Sequence, residues 1–133
     1  MAATNNTAQP LATNTALVFA EHPTLTGTSI SHTPNSGTFT LADNGFYQIE
    51  YNVVATNTSS TVLPALVSVH LEKGNTAIPG TTMSATVAAA NSTVPLSAST
   101  IINVTDAPAN IELVTGNGNG RFSNMGITIR KLD

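Results

Sequence analysis

The sequence predicts an all-β sandwich, and three observations carry that expectation. Apolar and polar residues alternate in short runs, the period of a strand with one face buried. Turn pairs such as Asn44-Gly45, Gly74-Asn75 and Pro79-Gly80 interrupt those runs. No stretch shows a convincing helical period. The Ala-rich "SATVAAANS" is the one place where a helical turn would intrude, and its Thr and Val argue against it.

Taken in order, residues 1–15 are Thr, Asn and Ala without periodicity and read as a flexible leader, which leaves 16–133 as the folded domain. "ALVFA", 16–20, predicts a first strand that Pro23 ends, and "GTSISH", 27–32, a short edge strand. In "GTFTLA" Phe39 and Leu41 share a face, and Asp43-Asn44-Gly45 then makes a tight turn. Asn44 and Gly45 tolerate positive φ, so this turn reads as a hairpin. Tyr47, Ile49, Tyr51 and Val53 recur at period two and point inward, with Gln48, Glu50 and Asn52 opposite. "PALVSVHLEKG" places Ala65, Val67, Val69 and Leu71 on one face, and Gly74-Asn75 turns the chain again. Pro79 lacks an amide hydrogen, so Pro79-Gly80 predicts an edge, bulge or bend. "TVPLSASTIINVTDAP" reads as a long strand, "ANIELVTG" as another and "GNGNG" as a loose connection. "NMGITIRKL" closes the fold with Met125, Ile127 and Ile129 on one side, for about eight strands in all.

Composition narrows the function. Only 8% of the 133 residues are charged, against about 25% in an average soluble domain. With a net charge of −3 and Lys73, Arg121, Arg130 and Lys131 as the only cations, no basic stripe can follow a phosphate backbone. Nucleic acid is therefore an unfavourable partner. No Cys is present, which excludes disulfides and thiolate metal sites. The N-terminal residues lack a basic segment followed by an apolar run, so they do not read as a signal peptide. No apolar run approaches the roughly 20 residues that span a bilayer, and no membrane insertion is expected. Much of the 41% hydrophobic fraction is Ala and Val, aromatics reach 5%, and Trp is absent. A core so short of large side chains gains from burial against another copy, at about 25 cal/mol per Å² removed from water.

Catalysis finds little footing. His22, His32 and His70, Asp43, Asp106 and Asp133 and many Ser residues supply triad members, yet no Gly-x-Ser-x-Gly elbow is present. No catalytic residue is assigned, and the chain is expected not to be an enzyme. A trimer axis could gather one His32 or His70 per subunit around a metal, but hydrogen-bonding histidines are the commoner outcome. Asp43 in "LADNG" falls well short of a calcium cage. No metal or cofactor is expected. The Asn-x-Ser/Thr matches at Asn5, Asn57, Asn91 and Asn103 are what a chain rich in Asn and Thr produces by chance. "GNGNGRF" lacks the Lys-Ser/Thr ending and the helix of a phosphate loop.

A resemblance adds to this reading. The order "TFTLADNGFYQIEYNV", "VSVHLEKGNTAIPGT" and a closing "ITIRKLD" resembles the C-terminal domains of BclA-type collagen-like glycoproteins of bacterial spore surfaces. These lie within the C1q/TNF-like jelly-roll superfamily. The likeness covers residues 16–133, and "NGFY" and "AIPGT" are its most specific pieces. It implies a two-sheet antiparallel jelly roll that forms a compact homotrimer. It further implies a cap on a collagen-like stalk at a bacterial surface, either the spore exosporium or an extracellular fibre. No Gly-X-Y repeat occurs within the chain.

By the same resemblance, Tyr47, Ile49, Tyr51 and Val53 fall at the aromatic and aliphatic positions that follow the strand-opening Gly45, on the sheet nearest the neighbouring subunits. Together with Phe39, Leu41, Val67, Val69, Ile127 and Ile129 they are assigned to the core that supports the trimer. The alternative function is the tip of a phage or bacterial fibre that binds a glycan or a surface receptor. Such a tip needs exposed aromatics, and Phe122, after "GNGNGR", is the one expected near a loop.

Overall fold

The computed structural model describes residues 1–5, 9–10, 15–57, 63–116 and 120–132. These residues form twelve strands and no helix: β1 (Ala2–Asn5), β2 (Gln9–Pro10), β3 (Glu21–Thr24), β4 (Ile30–His32), β5 (Phe39–Leu41), β6 (Gly45–Asn57), β7 (Ala65–Lys73), β8 (Thr76–Ala77), β9 (Met83–Val87), β10 (Val94–Val104), β11 (Ala109–Thr115) and β12 (Gly120–Lys131). The first sheet runs β10-β6-β12-β1-β3, with β2 also beside β12. The second runs β4-β5-β11-β7-β8, with β9 also on β7. Every pairing is antiparallel.

The core lies between the two sheets and follows the period-two pattern. Tyr47, Ile49, Tyr51 and Val53 of β6 are buried, as are Val67, Val69 and Leu71 of β7, Phe39 and Leu41 of β5, and Ile127 and Ile129 of β12. Each such side chain contributes about 1.5–3 kcal/mol by leaving water. Both buried tyrosines find acceptors for their hydroxyls. Tyr47 donates to the Asp43 carbonyl at 2.8 Å, and Tyr51 to the Thr81 carbonyl at 2.7 Å. Phe19 meets Phe39 edge-on, with ring centroids 5.4 Å apart.

Four expectations are corrected. The leader is not unstructured throughout, because β1 pairs with β12 on one side and β3 on the other. Without β1, that edge of β12 would offer unpaired backbone groups. Ala3 and Asn5 turn inward, and Asn5 Nδ2 donates to the Val18 carbonyl at 2.8 Å. Leader residues 6–8 and 11–14 lie outside the described residues.

The strand expected at 16–20 is reduced to two isolated bridges, Ala16 with Val114 and Phe19 with Ser36. This segment buries Leu17 and Phe19 in the core. Pairing resumes in β3, which contains Pro23 and tolerates it because β3 is an edge strand.

The turn at Asp43-Asn44-Gly45 is not a hairpin. β5 belongs to the second sheet and β6 to the first, so the turn carries the chain across the sandwich. Asn44 uses its side chain rather than a left-handed backbone, its Oδ1 accepting from the Ala107 amide at 2.9 Å. Gly45 has φ 139°. A β-branched residue is strained there, so Gly45→Val is expected to cost about 1–3 kcal/mol. Chemical denaturation measures it, and an unchanged midpoint would show that the crossover does not need glycine. A true two-residue hairpin joins β7 to β8, where Gly74 and Asn75 both have positive φ, 57° and 67°.

Phe122 is buried rather than exposed. Read back from Ile129, Ile127 and Met125 at period two, position 122 would face solvent. A register shift between Ser123 and Gly126, with Asn124 at φ 49°, reverses the phase and turns Phe122 inward. Its ring leaves little space at Gly120, where an added Cβ would lie 2.8 Å from Phe122. Within "GNGNG", residues 117–119 lie outside the described residues.

Candidate subunit-contact face

The face of the first sheet turned away from the core gathers side chains that the sequence scatters over 87 positions, from Phe46 to Leu132. Because β6 alternates, its outward residues are Phe46, Gln48, Glu50 and Asn52. The registers set β10 and β12 on either side. Ile101 and Arg130 both stand opposite Gln48, and Ser99 and Thr128 both stand opposite Glu50. Just past β12, the Leu132 amide donates to the Phe46 carbonyl at 2.9 Å, which places Leu132 beside Phe46.

One end of this face therefore carries three exposed apolar side chains among polar ones, with Asn103 opposite Phe46 and Gln48 opposite Ile101. Phe46, Ile101 and Leu132 are 49%, 59% and 44% exposed. They come from β6, β10 and the segment after β12, and occupy two neighbouring rows of the sheet. Diagonal neighbours on one face lie about 7–8 Å apart, within reach of long side chains. Exposed apolar residues grouped in this way mark interaction sites, whereas single ones do not.

Polar side chains share the row of Ile101 and fill the next one. Arg130 Nη2 donates to Gln48 Oε1, and Gln48 Nε2 donates to Glu50 Oε1 at 3.0 Å. Gln48, Glu50, Thr128 and Arg130 line a hollow of about 160 Å³. A shallower one of about 320 Å³ lies between Glu50, Asn52, Ser97 and Ser99. A third, of about 240 Å³, opens at the sandwich edge between Ile78, Pro79, Lys73 and Ile102.

The residues expected to support a trimer sit beneath this face rather than on it. Tyr47, Ile49, Tyr51 and Val53 alternate with Phe46, Gln48, Glu50 and Asn52 along β6, and Ile127 and Ile129 alternate with Thr128 and Arg130 along β12. Phe39, Leu41, Val67 and Val69 belong to the opposite sheet. Asn44 and Gly45 stand at the start of β6, where the chain arrives from β5. The alternation that turns Tyr47 inward puts Phe46 on the outward side of β6. Ile101 and Leu132 carried no signal of joining it, because cross-strand register is not a local property.

No arrangement with the geometry of a catalytic or metal site is found among the described residues. His32 is buried and stacked on Phe39 at 4.4 Å between centroids, and its Nε2 lies 2.9 Å from the Ser36 carbonyl. A carbonyl can only accept, so Nε2 carries the hydrogen. His70 Nε2 lies 2.8 Å from Glu72 Oε2. The side chain of His22 lies outside the described residues. No three His, Asp or Glu side chains among the described residues come together as a metal cluster. Burial raises the pKa of the Tyr51 phenol well above its usual value, so this tyrosine stays protonated and donates to Thr81.

No protein-family model and no curated protein matches the chain. Solved structures do. A crystal structure of murine APRIL at pH 8.5 aligns over 98% of this chain and 96% of that one, with a TM-score of 0.67 and 10% identity. The pH 8.0 structure of murine APRIL aligns over the same shares, with a TM-score of 0.64 and 12% identity. Rabbit GITRL aligns over 76% of both chains, at a TM-score of 0.44 and 21% identity. At such identities the likeness concerns the fold, which is a two-sheet antiparallel jelly roll of the C1q/TNF type.

Proposed function

We propose that the chain is a non-enzymatic jelly-roll module that works as a homotrimer and caps or registers a fibrous, collagen-like surface protein. The observation that carries this reading is the apolar group of Phe46, Ile101 and Leu132 on the outward face of the first sheet. A chain with 5% aromatics that leaves Phe46 half in water gains most by covering it with another copy. The sequence resemblance to BclA-type domains favours three copies, a Gly-X-Y stalk in the parent protein and display on a bacterial surface such as the spore exosporium. The alternative of a glycan- or receptor-binding tip lost its candidate contact when Phe122 proved to be buried.

Light scattering coupled to size exclusion tests the reading. The parent is expected at three times the 13.6 kDa chain mass over a wide range of concentration. The double variant F46S/I101S is expected to fall toward one chain mass while keeping its β circular dichroism. A parent that runs as one chain at every concentration would remove both the trimer and the capping role.

A further inference from the structure

Arg130 and Glu50 have opposite charges on the same face and do not meet. Gln48 stands between them, accepting from Arg130 Nη2 and donating to Glu50 Oε1 at 3.0 Å. The β6–β12 register explains the separation. Arg130 is opposite Gln48 and Glu50 is opposite Thr128, so the two charges are diagonal rather than facing. Elsewhere, Lys73 Nζ lies 3.5 Å from Asp106 Oδ1, and His70 Nε2 lies 2.8 Å from Glu72 Oε2.

Two features point to what completes this row. The chain carries only four Lys or Arg and seven Asp or Glu, yet it holds one of each sign here, next to the apolar group. Gln48 is opposite Ile101 and two residues from Phe46, so row and patch are continuous. The row is also self-complementary, because any second copy brings an acid for Arg130 and a base for Glu50. The hollow lined by Gln48, Glu50, Thr128 and Arg130, about 160 Å³, has room for the end of an incoming side chain.

We infer that Arg130 of each protomer pairs with Glu50 of the partner subunit, and that this pair sets the register in which the apolar patches meet. The inference rests on the self-association proposed above. Gln48 then has a definite task, holding both charged groups outward and apart until the partner arrives. On an exposed surface such a pair adds little. Inside a contact that excludes water it selects the matched arrangement, because like charges brought face to face are strongly unfavourable.

The experiment is a charge-swap series in the full chain, followed by light scattering over a range of concentrations. E50R and R130E are each expected to raise the concentration at which half the chains are assembled by about tenfold or more. The double variant E50R/R130E is expected to return it to within about threefold of the parent, since the pair is restored with its signs exchanged. Neutral E50Q and R130Q, which place no like charges together, are expected to shift it less, by about threefold. They keep the inference testable if a reversal variant fails to fold. If the parent assembles and neither reversal changes the midpoint, or if the double variant stays as weak as the singles, the pairing is wrong while the trimer reading stands. If the parent itself is one chain throughout, both fall together.

Discussion

Tyr51→Ala is expected to lower the free energy of unfolding by about 3–5 kcal/mol, a large part of the stability of an ordinary domain. Tyr51 is buried at the centre of β6, and its hydroxyl donates to the Thr81 carbonyl at 2.7 Å. Truncation removes the ring, leaves a cavity and orphans that carbonyl. Thermal unfolding at fixed protein concentration measures the loss, and a melting point within about two degrees of the parent would show that this face of β6 is not inward.

Tyr51→Phe separates the ring from the hydroxyl, with an expected loss of about 1–2 kcal/mol. It also changes the response to alkali. Burial raises the phenol's pKa in the folded chain above the unfolded value of about 10. Above that unfolded value the unfolded state releases a proton that the folded state retains, so stability falls as pH rises. Below it, the contribution is fully present. The parent should therefore lose stability as pH passes upward through about 10, and Tyr51→Phe should lose less over the same interval. Equal slopes for the two would remove Tyr51 as the source.

Thr81→Val, a change of nearly constant volume, is expected to cost about 2–4 kcal/mol. Thr81 is wholly buried. Its hydroxyl accepts from the Leu71 amide at 3.1 Å and donates to the Ile78 carbonyl at 2.7 Å, joining the end of β7 to the segment after β8. Valine leaves both backbone groups without that partner in a place water does not reach. Because Tyr51 bonds the carbonyl of the same residue, the two sites share a network. A double-mutant cycle of Tyr51→Phe and Thr81→Val should show a coupling of about 0.5–3 kcal/mol. Simple additivity would mean that the two hydrogen bonds act independently.

Nothing in the local sequence singles out Thr81 among so many threonines. It follows Pro79-Gly80, which is readable as a bend, but its burial depends on β6 lying across the sandwich from that bend. The same limit governs Phe122. Its neighbours Met125, Ile127 and Ile129 alternate faultlessly, and one bulge at Asn124 reverses the phase before position 122 is reached. Ala2–Asn5 has almost no large apolar residue to mark it as a strand, and it becomes one because an edge of β12 needs a partner.

Alternation along a strand is a property of adjacent residues, and the chain displays it openly. From it follow the all-β class, the long strands, the Gly74-Asn75 hairpin, and the inward face of Tyr47, Ile49, Tyr51 and Val53. Which strands become neighbours is a different kind of information, since it depends on closing loops between distant residues and on satisfying every sheet edge. Folding moved Asn44-Gly45 from a hairpin to a crossing between sheets. It also brought Phe46, Ile101 and Leu132 to one end of a face, with Arg130, Gln48 and Glu50 beside them. The residues of this outward face are all present in the sequence, but their nearness is a product of register alone.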